Sequence, residues 1–198
     1  HSLRTNLISM ELSARLDLPL QVRRDLYYAA LLKDAGCSSN AAAVFEMFGS
    51  NDIEAKRARM TTDWSNDVRA ALYAFEHAAP GASWFERAKR VATLARMGPR
   101  AAARLVQVRC DRGAEIVLQL GFGPGAANGV RGLEEHWDGH GHPQGLKGEQ
   151  IPIASRIIAV ADALEAMTAR RVYRRTRPPA EVLDELRAYS GRQFDPDV

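Results

Sequence analysis

Four groups of residues in this sequence have types and spacings that could do chemistry. His136, His140 and His142 cluster around Asp138 in the stretch HWDGHGHP. Imidazole and carboxylate at short spacing can hold a transition metal. A glycine-rich loop holds ligands rigidly only when something else fixes it, so spacing alone favours an exposed loop with incidental histidines. Lys33 and Asp34 follow directly on the apolar run YYAALL. A buried charge is costly unless it is paired, and adjacent residues on a helix do not face each other. Either both side chains reach solvent at a helix end, or they join a polar cluster completed by distant segments. Asp162 and Glu165, on one helix face and off the stripe of Ile157, Val160 and Leu164, are candidates to complete it. Finally, Gly121, Gly123 and Ala126 fit the GxGxxA dinucleotide fingerprint, which needs a preceding strand. Here the preceding AEIVLQL reads as the end of a helix, and the segment as an interhelical loop.

The elements that must position these groups read as helices almost throughout. Leu3, Leu7, Met10 and Ala14 recur at helical spacing, and Pro19 ends the run. A second helix is expected over 20–35, with Gly36 as its stop and Ser38, Ser39 or Asn40 capping the next. Asp52 and Asp63 are further cap candidates, and Ser83 with Glu86 forms a capping box. Pro99 suits the first turn of a helix running towards Leu120. Ile153, Ile157, Val160, Leu164 and Met167 define another helix, and Leu183, Leu186 and Tyr189 a last one after Pro179. Two segments read as non-helical, GFGPGAANG at 121–129 and DGHGHPQGLKGEQIP at 138–152. No period-2 strand pattern and no internal repeat is present.

Composition narrows the function classes. The chain has 198 residues, 46% hydrophobic and 26% charged, as in an ordinary globular domain. No window approaches the ~20 apolar residues of a membrane span. Residues 1–20 lack the pattern of a signal peptide. Cys37 and Cys110 form no CxxC and read as two buried thiols in a reducing, cytoplasmic compartment. The formal net charge is only +3, yet basic residues cluster. Eight Lys or Arg lie between Arg87 and Arg112, and Arg170, Arg171, Arg174, Arg175 and Arg177 follow in ARRVYRRTRPP. A solvated helix face is the plain reading, and a phosphate-binding surface the sharper one. The chain begins at His1 and stops in GRQFDPDV. We read it as a fragment, with room for a signal or partner domain outside it.

The distant pieces together resemble the HD superfamily of metal-dependent phosphohydrolases, in its HD-GYP branch. Five segments match in order: HSLR at 1–4, AALLKDAG at 29–36, RCDRGAEI at 109–116, the stretch from Glu134 to Tyr173, and GRQFDP at 191–196. The resemblance implies an all-α HD-domain helical bundle with a central metal site. Residues 40–100 would be a family-atypical helical insertion in a single domain over 1–198. Active members hydrolyse cyclic di-GMP with iron or manganese ions, which generate hydroxide and stabilise charge on the phosphate.

Carried over position by position, the resemblance implies an eroded site. His1, Asp34 and Asp162 match family ligands, leaving a vestigial set. Lys33 stands at the HD histidine, Arg109 at the histidine of an HP dipeptide, and Leu133 and Glu134 at a pair of histidines. His142 replaces the tyrosine of GYP. A protonated lysine has no lone pair to offer a metal, and arginine has no acceptor.

Lys33 and Arg109 are therefore expected to take over the metals' charge and to neutralise Asp34, Glu134 and Asp162. No catalytic residue and no resident cofactor is expected. The anticipated function is a catalytically impaired regulatory, ligand-sensing or dimerisation module. An anionic small molecule or nucleotide is expected to bind through Lys33, Asp34, Arg109, Glu134, Asp162 and Arg171, with a homodimer as a further partner. Similar degenerate domains occur in transcription regulators, so DNA is expected to be reached only through a domain outside this chain. The alternative is an active cyclic di-GMP phosphodiesterase with an unconventional iron or manganese site using His1, Asp34, Glu134, Asp162 and His136 or His140. A third reading, direct nucleic-acid binding by the arginine clusters, lacks a recognisable DNA-reading motif.

Overall fold

The computed structural model describes residues 1–37, 83, 85, 99–169 and 176–198. Their regular structure is helical: α1 (Ser2–Arg15), α2 (Leu20–Leu32), α3 (Pro99–Gln119), α4 (Pro124–Arg131), α5 (Ile153–Thr168) and α6 (Pro179–Ala188), with a 3-10 turn at Gly148–Gln150. No strand occurs among the described residues, only an isolated bridge between Ser190 and Phe194. The chain divides into two compact units, 1–36 with 106–198, and 37–105. Most of the expected helical insertion, its cap candidates from Ser38 to Asp63, and Glu86 of the capping box lie outside the described residues. So do half of the first basic cluster (Arg87, Lys89, Arg90 and Arg96) and Arg170, Arg171, Arg174 and Arg175.

The core of the first unit is built from small side chains. Ala29 and Ala30 of α2, Ala114 and Val117 of α3, Ala126, Ala127 and Val130 of α4, and Ala154, Ile157 and Ile158 of α5 are buried together with Leu26. Alanine faces allow close helix approach. α2 packs against α1, α4 and α5, and α5 also receives α1 and α6.

Residues 121–129, expected to be a loop, are in large part helix α4. Gly123 is its N-cap and Pro124 its first residue, where proline's missing N–H costs nothing. A Cβ on Gly129 would lie 2.9 Å from the Ala29 Cβ and 3.1 Å from the Ala154 Cβ. Glycine here lets α4 seat against α2 and α5, and this packing outweighs glycine's weak helix propensity.

α1 also departs from expectation. The helix forms, but the Leu3 and Leu7 stripe is 71% and 72% exposed, and the buried face carries Thr5, Asn6, Ser9 and Ser13. Ser9 donates its hydroxyl to the Thr5 carbonyl at 2.8 Å, and Ser13 to that of Met10 at 2.7 Å. These hydroxyls are thereby satisfied without leaving the helix. Leaving two leucines in water forgoes roughly 1.5–3 kcal/mol each, so something at the inner face must reward its polarity.

The loop 138–152 is non-helical apart from its 3-10 turn, as expected. The buried Glu135 carboxylate accepts the backbone N–H groups of Gln144 and Leu146 at 2.7 and 2.9 Å. A Cβ on Gly141 would lie 2.1 Å from the His136 nitrogen, so only glycine fits that crossing. The loop is also tied to the C-terminal segment. The Asp138 N–H donates to the Arg192 carbonyl at 2.9 Å. Arg156 of α5 reaches the Asp195 carboxylate at 2.6 Å while its guanidinium lies over Trp137.

Gly129→Ala should destabilise the fold by about 1–3 kcal/mol, because neither facing Cβ can swing away. Asn128→Ala, on the exposed side of the same helix, should stay within about 0.5 kcal/mol. Urea unfolding of both variants checks the pair. Asp195→Ala strands the Arg156 charge and should cost about 3–5 kcal/mol, measured as a drop in melting temperature.

Candidate functional site

α2 ends at Leu32, and the chain turns through 33–36. Gly36 presses this turn against α3, where an added Cβ would lie 1.9 Å from the Arg109 carbonyl oxygen. That approach requires glycine, and it brings Arg109 beside the Lys33–Asp34 pair. α5 supplies Asp162 and Glu165, and α1 supplies Ser2 and Thr5.

Lys33 lies at the centre. Its Nζ is 2.8 Å from Asp34 Oδ2 and 3.0 Å from Asp162 Oδ1, and its side chain is 5% exposed. Ser2 donates its hydroxyl to Asp34 Oδ2 at 2.9 Å, and Thr5 donates to Asp162 Oδ1 at 3.2 Å. Of the buried polar face of α1, Thr5 is thus engaged by the site, while Ser9 and Ser13 bond within the helix. His1 places Nε2 3.0 Å from Asp162 Oδ1 and Nδ1 against the buried Glu165 carboxylate. Arg109 pairs with Glu134. Burial alone would raise the Asp34 carboxyl, but the hydrogen bond and charge of Lys33, the Ser2 hydroxyl and the Arg109 charge together hold it below its ordinary 3.8.

Five of the six expected site residues thus gather in one region: Lys33, Asp34, Arg109, Glu134 and Asp162. Arg171 lies outside the described residues. Ser2 and Thr5 were not expected at the site. Their hydroxyls sit on an interior face that leucine periodicity assigns to solvent. Leu133 turns towards the hydrophobic core. The loop histidines do not converge: His140 is 85% exposed and beside Asp138. The Asp138 carboxyl is held low chiefly by the backbone N–H of His140. Cys110 is buried, and burial pushes its thiol up to about 11, so it stays protonated at neutral pH; Cys37 is part-buried.

The family resemblance implies iron or manganese here. The donor set does not fit them. An ammonium stands between the two aspartates, and a guanidinium occupies Glu134. Both His1 nitrogens face carboxylates. Among the described residues, no group of three or more His, Cys, Asp or Glu is arranged to hold a metal.

A carboxyl whose folded value is depressed contributes stability above its unfolded value and loses it as pH falls through the folded value. The stability difference between wild type and Asp34→Asn should therefore be full at neutral pH. It should shrink below about 3.8, the ordinary value. Urea melts at a series of pH values check this, and a difference that stays constant into strong acid would count against the ion pair.

Comparisons with known proteins agree with this architecture. The HD domain family matches residues 50–198. The chain is 35% identical over all its 198 residues to a Vibrio cholerae protein named 3'3'-cGAMP-specific phosphodiesterase 3, of which it spans 42%. It is 45% identical over 88 residues, 44% of this chain, to the cyclic di-GMP phosphodiesterase of Thermotoga maritima, of which it spans 23%. The crystal structure of a cyclic GMP-AMP-specific phosphodiesterase of V. cholerae superposes with a TM-score of 0.66 at 31% identity, covering 99% of this chain and 41% of that one. The chain thus spans less than half the length of these relatives. No helix among the described residues is long and apolar enough to cross a membrane. With its helical bundle and its Lys33–Asp34 turn facing Asp162, the chain belongs to the HD domain family.

Proposed function

We propose that this HD domain is a regulatory or assembly module whose polar centre is a fixed ionic network. The observation that carries this reading is the Lys33 ammonium held between Asp34 and Asp162 at 2.8 and 3.0 Å. Two-metal hydrolysis needs those oxygens free to hold ions that activate water and clamp the phosphate. Here a side chain that cannot activate water uses them. An anionic ligand entering this centre would have to displace Glu134 from Arg109.

A second reading, an active cyclic-dinucleotide phosphodiesterase, is favoured by the relatives. Their names support hydrolysis more than they support an impaired module. Fold and lineage alone do not fix a reaction, because chemistry resides in the site.

Incubation of the chain with 3'3'-cGAMP or cyclic di-GMP and excess manganese or ferrous iron, followed by chromatography of the products, separates the two readings. We expect no product above the protein-free control. Sustained turnover that Asp34→Ala abolishes would overturn the module reading and establish the phosphodiesterase.

A further inference from the structure

We propose that the Lys33 ammonium is a built-in substitute for a divalent cation: the centre is metal-independent as it stands, and becomes a divalent-cation site when that ammonium is removed. The inference rests on the reading that this centre holds no catalytic metals as built, and it concerns the ion rather than turnover.

The geometry is that of one point charge bridging two carboxylate oxygens. Asp34 Oδ2 accepts from both Lys33 and Ser2, at 2.8 and 2.9 Å. Asp162 Oδ1 faces Lys33, Thr5 and His1, at 3.0, 3.2 and 3.0 Å. One oxygen from each aspartate thus meets Lys33 and a hydroxyl of α1. Lysine is a compact cation with three donors, and its side chain is buried along its length. It is therefore part of the interior and not a surface lysine folded inward.

Charge decides the outcome of losing it. Asp34, Glu134, Asp162 and Glu165 stand against Lys33, Arg109 and, when protonated, His1 among the described side chains. Without Lys33, the part-exposed Asp34 and Asp162 would keep only the more distant charge of Arg109 and the His1 ring as positive neighbours among the contacts described, with Glu165 just beyond His1. Like charges brought together in this way favour uptake of a proton or a cation. Truncation of the lysine stem also leaves room for an ion and its water. Carboxylate oxygens with water suit a hard ion such as manganese.

The test uses the full chain as wild type, Lys33→Ala, and Lys33→Ala with Asp162→Asn. Melting temperature is followed in EDTA and in rising manganese, and bound metal is counted after gel filtration. The wild type should melt at one temperature in EDTA and in manganese, and should carry no stoichiometric metal. Lys33→Ala should melt lower in EDTA. Manganese should raise it in a saturating manner, with about one ion bound per chain. The added Asp162→Asn should abolish that rise. If Lys33→Ala is unfolded in EDTA, recovery of its helical circular dichroism on adding manganese supports the proposal. A variant that is unfolded with and without manganese, or folded but indifferent to it, overturns the proposal. Stoichiometric manganese on the wild type without hydrolysis overturns the ion substitution alone, whereas hydrolysis by the wild type overturns the module reading as well.

Discussion

The ammonium of Lys33 sets the terms for the helices around it. It must be reached at once by a carboxylate from its own turn and by one from α5, far along the sequence. A buried charge that lost either partner would be costly. The end of α2 and the third turn of α5 are therefore held at one separation. The aliphatic stem of Lys33 leaves α2 just past Leu32 and is buried. This coupling joins the hydrophobic core to the polar centre: the alanine faces that let α2 and α5 approach also bring Asp162 within reach.

Two features that looked like defects arise from that constraint. The first turns of α1 are polar towards the centre because two aspartate oxygens already engaged by Lys33 still have lone pairs, and Ser2 and Thr5 fill them. Leucines at those positions would add apolar area but leave the carboxylates short of donors. The exposed Leu3 and Leu7 are the geometric complement of this choice, since one helix cannot turn both faces inward. Gly36 answers the same need from the other side. Its missing side chain allows the turn after Asp34 to touch the backbone of α3, so that the Arg109 charge reaches Asp34.

How much of this was legible depended on whether the signal was local. Helix α5 and the glycine-rich loop could be read directly, because periodicity and glycine spacing are properties of neighbouring residues. Pro99 marked the start of α3 for the same reason. α4 could not be read in this way: Gly125 and Gly129 look like breakers until Asp25, Ala29 and Ala154 are seen pressing on them. The orientation of α1 was hidden because leucine spacing reports amphipathicity, not which face is rewarded. The gathering of Lys33, Arg109, Asp34, Glu134 and Asp162 came from the family resemblance, since no spacing rule joins positions so far apart. The pairings themselves come from charge. Once lysine and arginine replace imidazoles beside carboxylates, ion pairs are the electrostatically favourable outcome.

The same electrostatics governs the centre of a chain that resembles a phosphodiesterase along its whole length: its carboxylates are held by ion pairs with its own side chains. The scaffold around the centre is fastened separately, by the Glu135 carboxylate in the loop and by the Arg156–Asp195 pair between the C-terminal segment and α5. Their partners lie in the loop and the C-terminal segment rather than in the Lys33 cluster, so these ties do not depend on what neutralises the centre. An ammonium at position 33 is self-consistent there, because it supplies positive charge to both aspartates from within the chain. In such a centre the aspartates remain for a structural reason, because the buried lysine needs them as much as a metal would.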